Sequence, residues 1–204
     1  MSPLADHGRE VIPRSELPSD TVEMARYLIG KVVVRETPGG VLSGRIVEVE
    51  AYPVGDAAGH AYRGETPRNH VLFLERGRAY VYLAYGVAYM LNVSSEAAGV
   101  GAGVLIRAMQ PLEGVEAMLR NRQVLNVRDL ARGPGRLTAA LGIDRRLDGV
   151  DLCREGPLWL ARDGEATPDI GTSARIGLTR EVEAPLRFYV RGDRFVSGPN
   201  SLNR

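Results

Sequence analysis

Apolar positions in TVEMARYLIG recur at helical spacing, and Asp20 and Glu23 stand before and within them at capping-box separation. The pattern predicts a helix from about Thr21 to Ile29, stopped by Gly30. Two strand-like segments follow, KVVVRE and GRIVEVEAY, split by the turn TPGG. In IVEVEAY, period-two alternation puts Ile46, Glu48, Glu50 and Tyr52 on one face and Val47, Val49 and Ala51 on the other. Residues 53–70 break the pattern with PVGDAAGHAYRGETPRN, a loop longer than a plain connection needs. AYVYLAYGVAYMLNVSS reads as a hairpin with its tip at Tyr85–Gly86, and GVLIRAMQ as another strand. PLEGVEAMLRNRQ reads as a helix with Pro111 at its start, and GPGRLTAALGI as a short helix. LRFYVRGDRFVSG reads as a closing hairpin around Gly192-Asp193. No repeat or linker interrupts the chain. The expectation is a flexible leader over 1–17 and, from 18 to 204, a single α+β domain with a curved, mostly antiparallel sheet flanked by helices.

Composition narrows the setting more than the chemistry. A chain of 204 residues with 44% hydrophobic and 25% charged content is an ordinary globular one. At that length a domain buries roughly 70% of the surface of its unfolded chain. The single cysteine, Cys153, excludes an internal disulfide framework. The polar, proline-broken N-terminus has no signal-peptide pattern, and no apolar run approaches the ~20 residues that span a bilayer. A cytoplasmic protein with no membrane partner is expected. Net charge is only +1, yet seven arginines against two aspartates make residues 120–146 +5. Lys31 is the only lysine, so nearly all positive charge is arginine, which suits bidentate phosphate contacts. A GC-rich coding bias accounts for the arginines as readily.

Several chemistries lack their residues. Three histidines (His7, His60, His70) and one cysteine have no zinc-ligand spacing. There is no H-x-E with P-C-x-x-C, no G-x-S-x-G, no Walker A sequence and no G-x-G-x-x-G. What remains is carboxylates and rings. Glu48 and Glu50 repel on one strand face unless one is solvated or neutral, and an exposed face is the plain reading. The functional reading favours Glu50, at the strand end beside Tyr52 and the long loop. His60 is alone in that loop. Tyr80, Tyr82, Tyr85 and Tyr89 are half of the eight tyrosines, packed into thirteen residues. Tyr80 and Tyr82 share a face, and Tyr85 falls at the hairpin tip. An exposed ring there has one use as a wedge between stacked bases, with Tyr82 as a pocket wall below it. Tyr80 and Tyr89 read as core rings with satisfied hydroxyls. A merely hydrophobic hairpin explains the same spacing. Asn92 has an amide for a base edge.

Together these segments resemble a known family. V-E-x-E-A-Y, H-A-Y-R-G-x-T-P-R-N, Y-V-Y-x-x-Y-G-x-x-Y-x-L-N-V-S-S, V-L-I-R-A-M-Q-P-L-E-G, G-P-G-R-L and P-L-R-F-Y-V-R-G are similar to the alkyladenine (3-methyladenine) DNA glycosylases, from about Leu17 to Ser197. The resemblance implies a monofunctional enzyme without metal or redox cofactor. It would flip damaged purines out of double-stranded DNA and hydrolyse the glycosidic bond as a monomer. Carried over, Glu50 activates water, and Arg107 lies close to the catalytic centre and the DNA backbone. Tyr52, His60 and Tyr82 sandwich the base, Asn92 lines the pocket, and Tyr85 fills the gap in the duplex. An electron-rich pocket of this kind would favour cationic bases. Many relatives have a slightly longer segment than PVGDAAG between Tyr52 and His60, so the seating of His60 is expected to differ here. Two other classes fit the same residues: a hydrolase of free nucleosides using Glu50, and a non-catalytic module that binds nucleic acid by aromatic stacking.

Overall fold

The computed structural model describes residues 8–199, 201 and 203. Helix α1 (Thr21–Leu28) forms where the capping pattern placed it. The Asp20 carboxylate accepts from the N–H groups of Val22 and Glu23, each at 2.9 Å, and Met24, Ala25 and Leu28 turn inward. Strands β2 (Val32–Thr37) and β3 (Gly40–Tyr52) follow, then the hairpin β4 (Ala79–Ala84) and β5 (Ala88–Ser94), and β6 (Gly103–Glu113). Helices α2 (Val115–Arg122) and α3 (Pro134–Leu141) precede β7 (Leu158–Arg162), β8 (Ile170–Ser173) and β9 (Arg187–Val190). With β1 (Glu10–Val11), the strands form one curled sheet in the order β1-β7-β2-β3-β6-β5-β4, and β8 and β9 pair beside it. Every pairing is antiparallel.

The spine is β3. It pairs β6 along most of its length, β2 over Gly40–Arg45 and β9 over Glu48–Glu50. On one face the three helices cover a core that includes Met24, Leu28, Val49, Ile106, Met118 and Leu137. The opposite face carries smaller apolar clusters and the polar site described below.

The simple alternation expected in β3 fails at Val47. Ile46 pairs with Met109 and Glu48 with Ala108, which leaves Val47 unpaired; Val49 then pairs with Ile106, which leaves Arg107 unpaired. Two opposed bulges result. They send Ile46 into the helix-side core with Val49 and Ala51, while Val47 packs with Ala108 and Tyr189 behind the sheet. They also leave Glu48, Glu50 and Arg107 together on the open face.

Three further expectations are corrected. Pro111 does not start a helix but pairs with Gly44 in β6, next to a register irregularity where its missing N–H is tolerated. The helix begins only after Gly114, whose φ of 70° turns the chain. Among the described residues no strand follows β9; instead Phe195 and Val196 fold onto Val47 and Tyr189, and the partners of β9 are β3 and β8. Of the leader expected over 1–17, residues 1–7 lie outside the described residues. The remainder is packed: Glu10 and Val11 pair with Arg162 and Ala161, and Ile12 and Leu17 are buried.

Gly114 supplies a test of this turn. A Cβ there would lie 2.3 Å from Leu42 Cδ2 and 2.6 Å from the Val41 carbonyl oxygen, on top of the positive φ. Gly114→Ala is expected to cost about 2–4 kcal/mol in urea unfolding. Gly64→Ala, at φ 91° with nothing within 4 Å of the new Cβ, should cost only the backbone strain, about 1–2 kcal/mol.

Candidate active site

Register places four side chains in one line across the open face. Glu50 on β3 stands opposite Leu105 on β6, Leu105 opposite Asn92 on β5, and Asn92 opposite Tyr80 on β4. Over this row lies a cavity of about 480 Å³ lined by Tyr52, His60, Tyr80, Tyr82, Tyr85 and Asn92, among others, and closed on one side by residues 177–180. Five of the seven expected site residues therefore line one cavity. Glu50 and Arg107 do not line it.

Glu50 is fully buried, one hydrogen bond behind the lining. Its Oε2 accepts from the Tyr52 hydroxyl at 2.9 Å. Its Oε1 accepts from the Ile176 N–H at 2.7 Å, and Arg107 Nη1 stands 3.1 Å from it. Burial and the Glu50 charge both push the Tyr52 phenol above its ordinary range, so Tyr52 stays a donor. Neighbouring Glu48 is equally buried, which overturns the reading of an exposed acidic strand face. It accepts from Arg107 Nε at 2.9 Å, Arg187 Nε at 2.7 Å, and the N–H and hydroxyl of Ser197 at 2.7 and 3.0 Å. Burial alone would raise the Glu48 carboxyl, but the Arg107 and Arg187 guanidinium groups outweigh it and hold it below the usual carboxylate range.

The rings form a second layer. His60 Nδ1 and the Tyr80 hydroxyl share a hydrogen bond of 2.9 Å, and the His60 ring lies 4.4 Å from that of Tyr82. Tyr80 and Tyr82 stack at 5.2 Å. His60 is exposed, yet lost hydration of its ring beside Tyr80 and Tyr82 and nearby Arg68 lower its imidazole below the ordinary value, so it is mostly neutral at pH 7. The loop seats His60 through Asn69, whose amide donates to the His60 carbonyl at 2.8 Å and whose Oδ1 accepts from the Thr66 N–H at 2.6 Å. Asn92 donates to the Tyr80 carbonyl at 3.2 Å.

Sequence reasoning did not single out five contributors. Tyr80, expected as a core ring with a satisfied hydroxyl, is one, but it also lines the cavity and holds His60; burial pushes its phenol up to about 12. Asn69 was legible only as part of TPRN. The Ile176 N–H and the Arg63 and Arg180 side chains at the cavity carry no sequence signal of their own.

At the hairpin tip Tyr85 is 94% exposed and Val87 82%. The Val87 N–H donates to the Ala84 carbonyl, and the two central turn residues, Tyr85 and Gly86, have φ of 50° and 71°. Positive φ at both centres matches the twist of a tight hairpin, but a tyrosine there is strained.

A sequence model of the family "Methylpurine-DNA glycosylase (MPG)" matches residues 15–194. The chain belongs to this family. A Mesorhizobium japonicum protein is 69% identical over 191 residues, covering 94% of this chain and 92% of its own length. One from Paraburkholderia phytofirmans is 50% identical over 198 residues, covering 96% and 93%. One from Methanoculleus marisnigri is 43% identical over 190 residues, covering 91% and 98%. All three carry the name "Putative 3-methyladenine DNA glycosylase". The present chain is accordingly a DNA glycosylase, a hydrolase of base-excision repair.

The arginine-rich stretch of this glycosylase is partly structural. Arg122, Arg128 and Arg132 donate Nε to the carbonyls of Leu130, Arg194 and Val196, and Arg146 pairs with Asp144. Those guanidinium groups brace the helical segment before they meet any phosphate.

Glu48 yields a stability prediction. Glu48→Gln removes a buried carboxylate that pairs with both Arg107 and Arg187, and should lower unfolding free energy by about 3 kcal/mol or more at pH 7. Because the folded carboxyl is held below its ordinary value, the stability it confers is present above about pH 4.5 and lost as pH falls through the folded value. Urea unfolding at pH 7 and pH 3.5 should therefore show the gap between variant and parent narrowing in acid.

Proposed function

We propose that this glycosylase excises alkylated and deaminated purines from double-stranded DNA, with Glu50 activating the attacking water. The observation that carries the reading is the pinned Glu50 carboxylate directly behind a ring-lined cavity whose mouth holds the exposed Tyr85. A base within the duplex is out of reach, and rotating it out costs a few kcal/mol. Tyr85 has the exposure to occupy the vacated stack. The extruded base enters between Tyr52, His60 and Tyr82, where ring stacking returns about 1–3 kcal/mol. Asn92 faces a base edge.

The chemistry is then a hydrolysis. Water oxygen bonds to C1′ as the C1′–N bond breaks, its electron pair leaves with the purine, and the water proton passes to Glu50. Two groups hold Glu50 Oε1, the Ile176 N–H and Arg107, while Oε2 accepts only from Tyr52 among the described residues. Oε2 thus has a lone pair for the water. Arg107 fixes the ionised carboxylate in that orientation. A lyase route would need an amine, and Lys31 packs 4.8 Å from the Tyr27 ring, outside the lining. The product is an intact abasic site.

Glu50→Gln keeps the shape but not the base. Release of methylated purines from dimethyl-sulfate-treated duplex should fall by about 10²-fold or more while lesion binding persists. Excision within a few fold of the parent removes Glu50 from the role, and binding without any release by the parent would favour a non-catalytic module.

Tyr85→Ala should lose about 1–3 kcal/mol of flipping or lesion-duplex binding and leave the melting temperature unchanged, since the free ring buries almost nothing. Tyr85→Gly should raise stability slightly by relieving the φ of 50°, with the same loss of activity. Single-turnover excision paired with thermal melts decides; a large drop in melting temperature with normal excision per folded molecule makes Tyr85 a packing residue.

A further inference from the structure

The segment after β8 crosses behind the site, and Arg175 within it has a wholly buried side chain. Its guanidinium carbon lies 4.6 Å from the centroid of the Tyr52 ring. Nη1 donates to the Ala51 carbonyl at 2.9 Å and pairs with the Asp56 carboxylate, to which Nη2 also donates at 3.1 Å. Asp56 is the knot at the start of the His60 loop. Its Oδ1 accepts from the Ala58 N–H and its carbonyl from the Gly59 N–H, both at 2.9 Å. One planar cation therefore ties the end of β3, the Tyr52 ring and the loop that delivers His60.

Packing alone does not call for this arrangement. A buried ion pair exchanged for apolar residues of similar volume is often neutral or stabilising. Here the cost is higher still, because the buried Arg175 Nε–H has no partner among the described residues. What the guanidinium does that no apolar side chain can is stand over a ring while its two Nη groups grip a carboxylate. Lysine has one point charge and cannot do both.

Resting on the reading of the site given above, we infer that Arg175, clamped by Asp56, is a positioning residue for base excision that acts through Tyr52. It fixes the plane of the Tyr52 ring as a stacking wall and the direction of its hydroxyl toward Glu50 Oε2 before DNA arrives. Tyr52 has two roles and one rigid pose must serve both: the ring meets the base while the O–H orients the carboxylate. A ring free to swing would lose the hydrogen bond and the wall together. Such pre-set geometry matters because misplacement of reacting groups by about 1 Å can cost about 10²-fold in rate.

The test is a double-variant cycle on the full chain, with single-turnover release of methylated purines from dimethyl-sulfate-treated duplex as the readout. Arg175→Lys should slow release at least tenfold, with half-saturating enzyme concentration within threefold of the parent. In a Tyr52→Ala background the same change should slow release by less than about threefold, because the group through which Arg175 acts is gone. Multiplicative losses would show Arg175 acting independently of Tyr52 and overturn the inference, as would a folded Arg175→Lys protein with the parent rate. If Arg175→Lys does not fold, Asp56→Asn takes its place in the cycle, since it loosens the clamp and leaves the guanidinium present; the same two outcomes apply. A parent protein that releases no base would overturn the reading of the site and the inference with it. An active parent with an additive cycle would overturn the inference alone.

Discussion

The site depends on one buried charge cluster. Glu48 on β3, Arg107 on β6 and Arg187 on β9 meet where three strands converge, and Ser197 closes the cluster from the C-terminal segment. Two carboxylates on adjacent same-face positions could not both be buried and ionised unaided. Arg107 resolves this by reaching both, with Nε on Glu48 and Nη1 toward Glu50. Arg187 then balances the second negative charge on Glu48, so that Arg107 is not consumed by it. Glu48 is engaged by four donors in this arrangement. It orients the guanidinium that orients Glu50. The opposed bulges at Val47 and Arg107 are what allow it, since a regular ladder would pair Arg107 in register and carry Ile46 onto the charged face.

How much of this was legible in the sequence follows from which forces are local. The cap at Asp20, the hairpin tip at Tyr85–Gly86 and the short helix behind Gly133 are set by neighbours along the chain, and they formed as expected. Glu50, Tyr52 and Tyr82 sat in short periodic segments whose phase survives folding. The failures share a cause at longer range. Bulges arise from pairing between strands about sixty residues apart, so the phase of Ile46 was invisible. Gly114 turns the chain at a positive φ against Val41 and Leu42, a long-range approach that leaves no room for a Cβ, and without that contact Pro111 looks like a helix start. Phe195 and Val196 alternate like strand residues but are drawn onto Val47 and Tyr189. Tyr80 was legible as a buried ring with a satisfied hydroxyl; that its hydroxyl partner is the cavity histidine was not, because His60 lies twenty residues away in a loop.

Stability is given up around the cavity in three places that can be named. Tyr85 holds a left-handed backbone conformation that glycine would adopt freely. Arg175 is buried with one N–H unpaired, and two glutamates sit within a charge cluster where apolar residues would pack. None of these lies on the helix-covered side of the sheet, where Met24, Leu28, Ile106 and Leu137 form an ordinary apolar core. The fold thus separates its two tasks by face: one surface of β3 to β6 supplies cohesion, and the other carries strain and charge.

The electrostatics of the cavity bear on how it would choose a base. Tyrosine faces beside a neutral histidine suggest an electron-rich box for a cationic purine. The guanidinium groups behind the walls change that. Arg175 stands 4.6 Å from the Tyr52 ring and Arg68 5.7 Å from the Tyr82 ring, so two rings that would meet the base already attract a protein cation. Cation–π attraction is electrostatic, and a positive charge held on the ring opposes a second one brought to it. Asp56 offsets the charge of Arg175, so the opposition falls mainly at the Tyr82 ring, and binding preference for charged over neutral lesions should be reduced, although His60, its imidazole lowered below the ordinary value, adds little repulsion of its own. Discrimination against ordinary purines then falls on two other steps. Damaged pairs cost less to open, and a purine carrying positive charge leaves C1′ without first acquiring a proton. A box with rings already engaged would admit a range of damaged purines and leave the choice among them to the chemistry of departure.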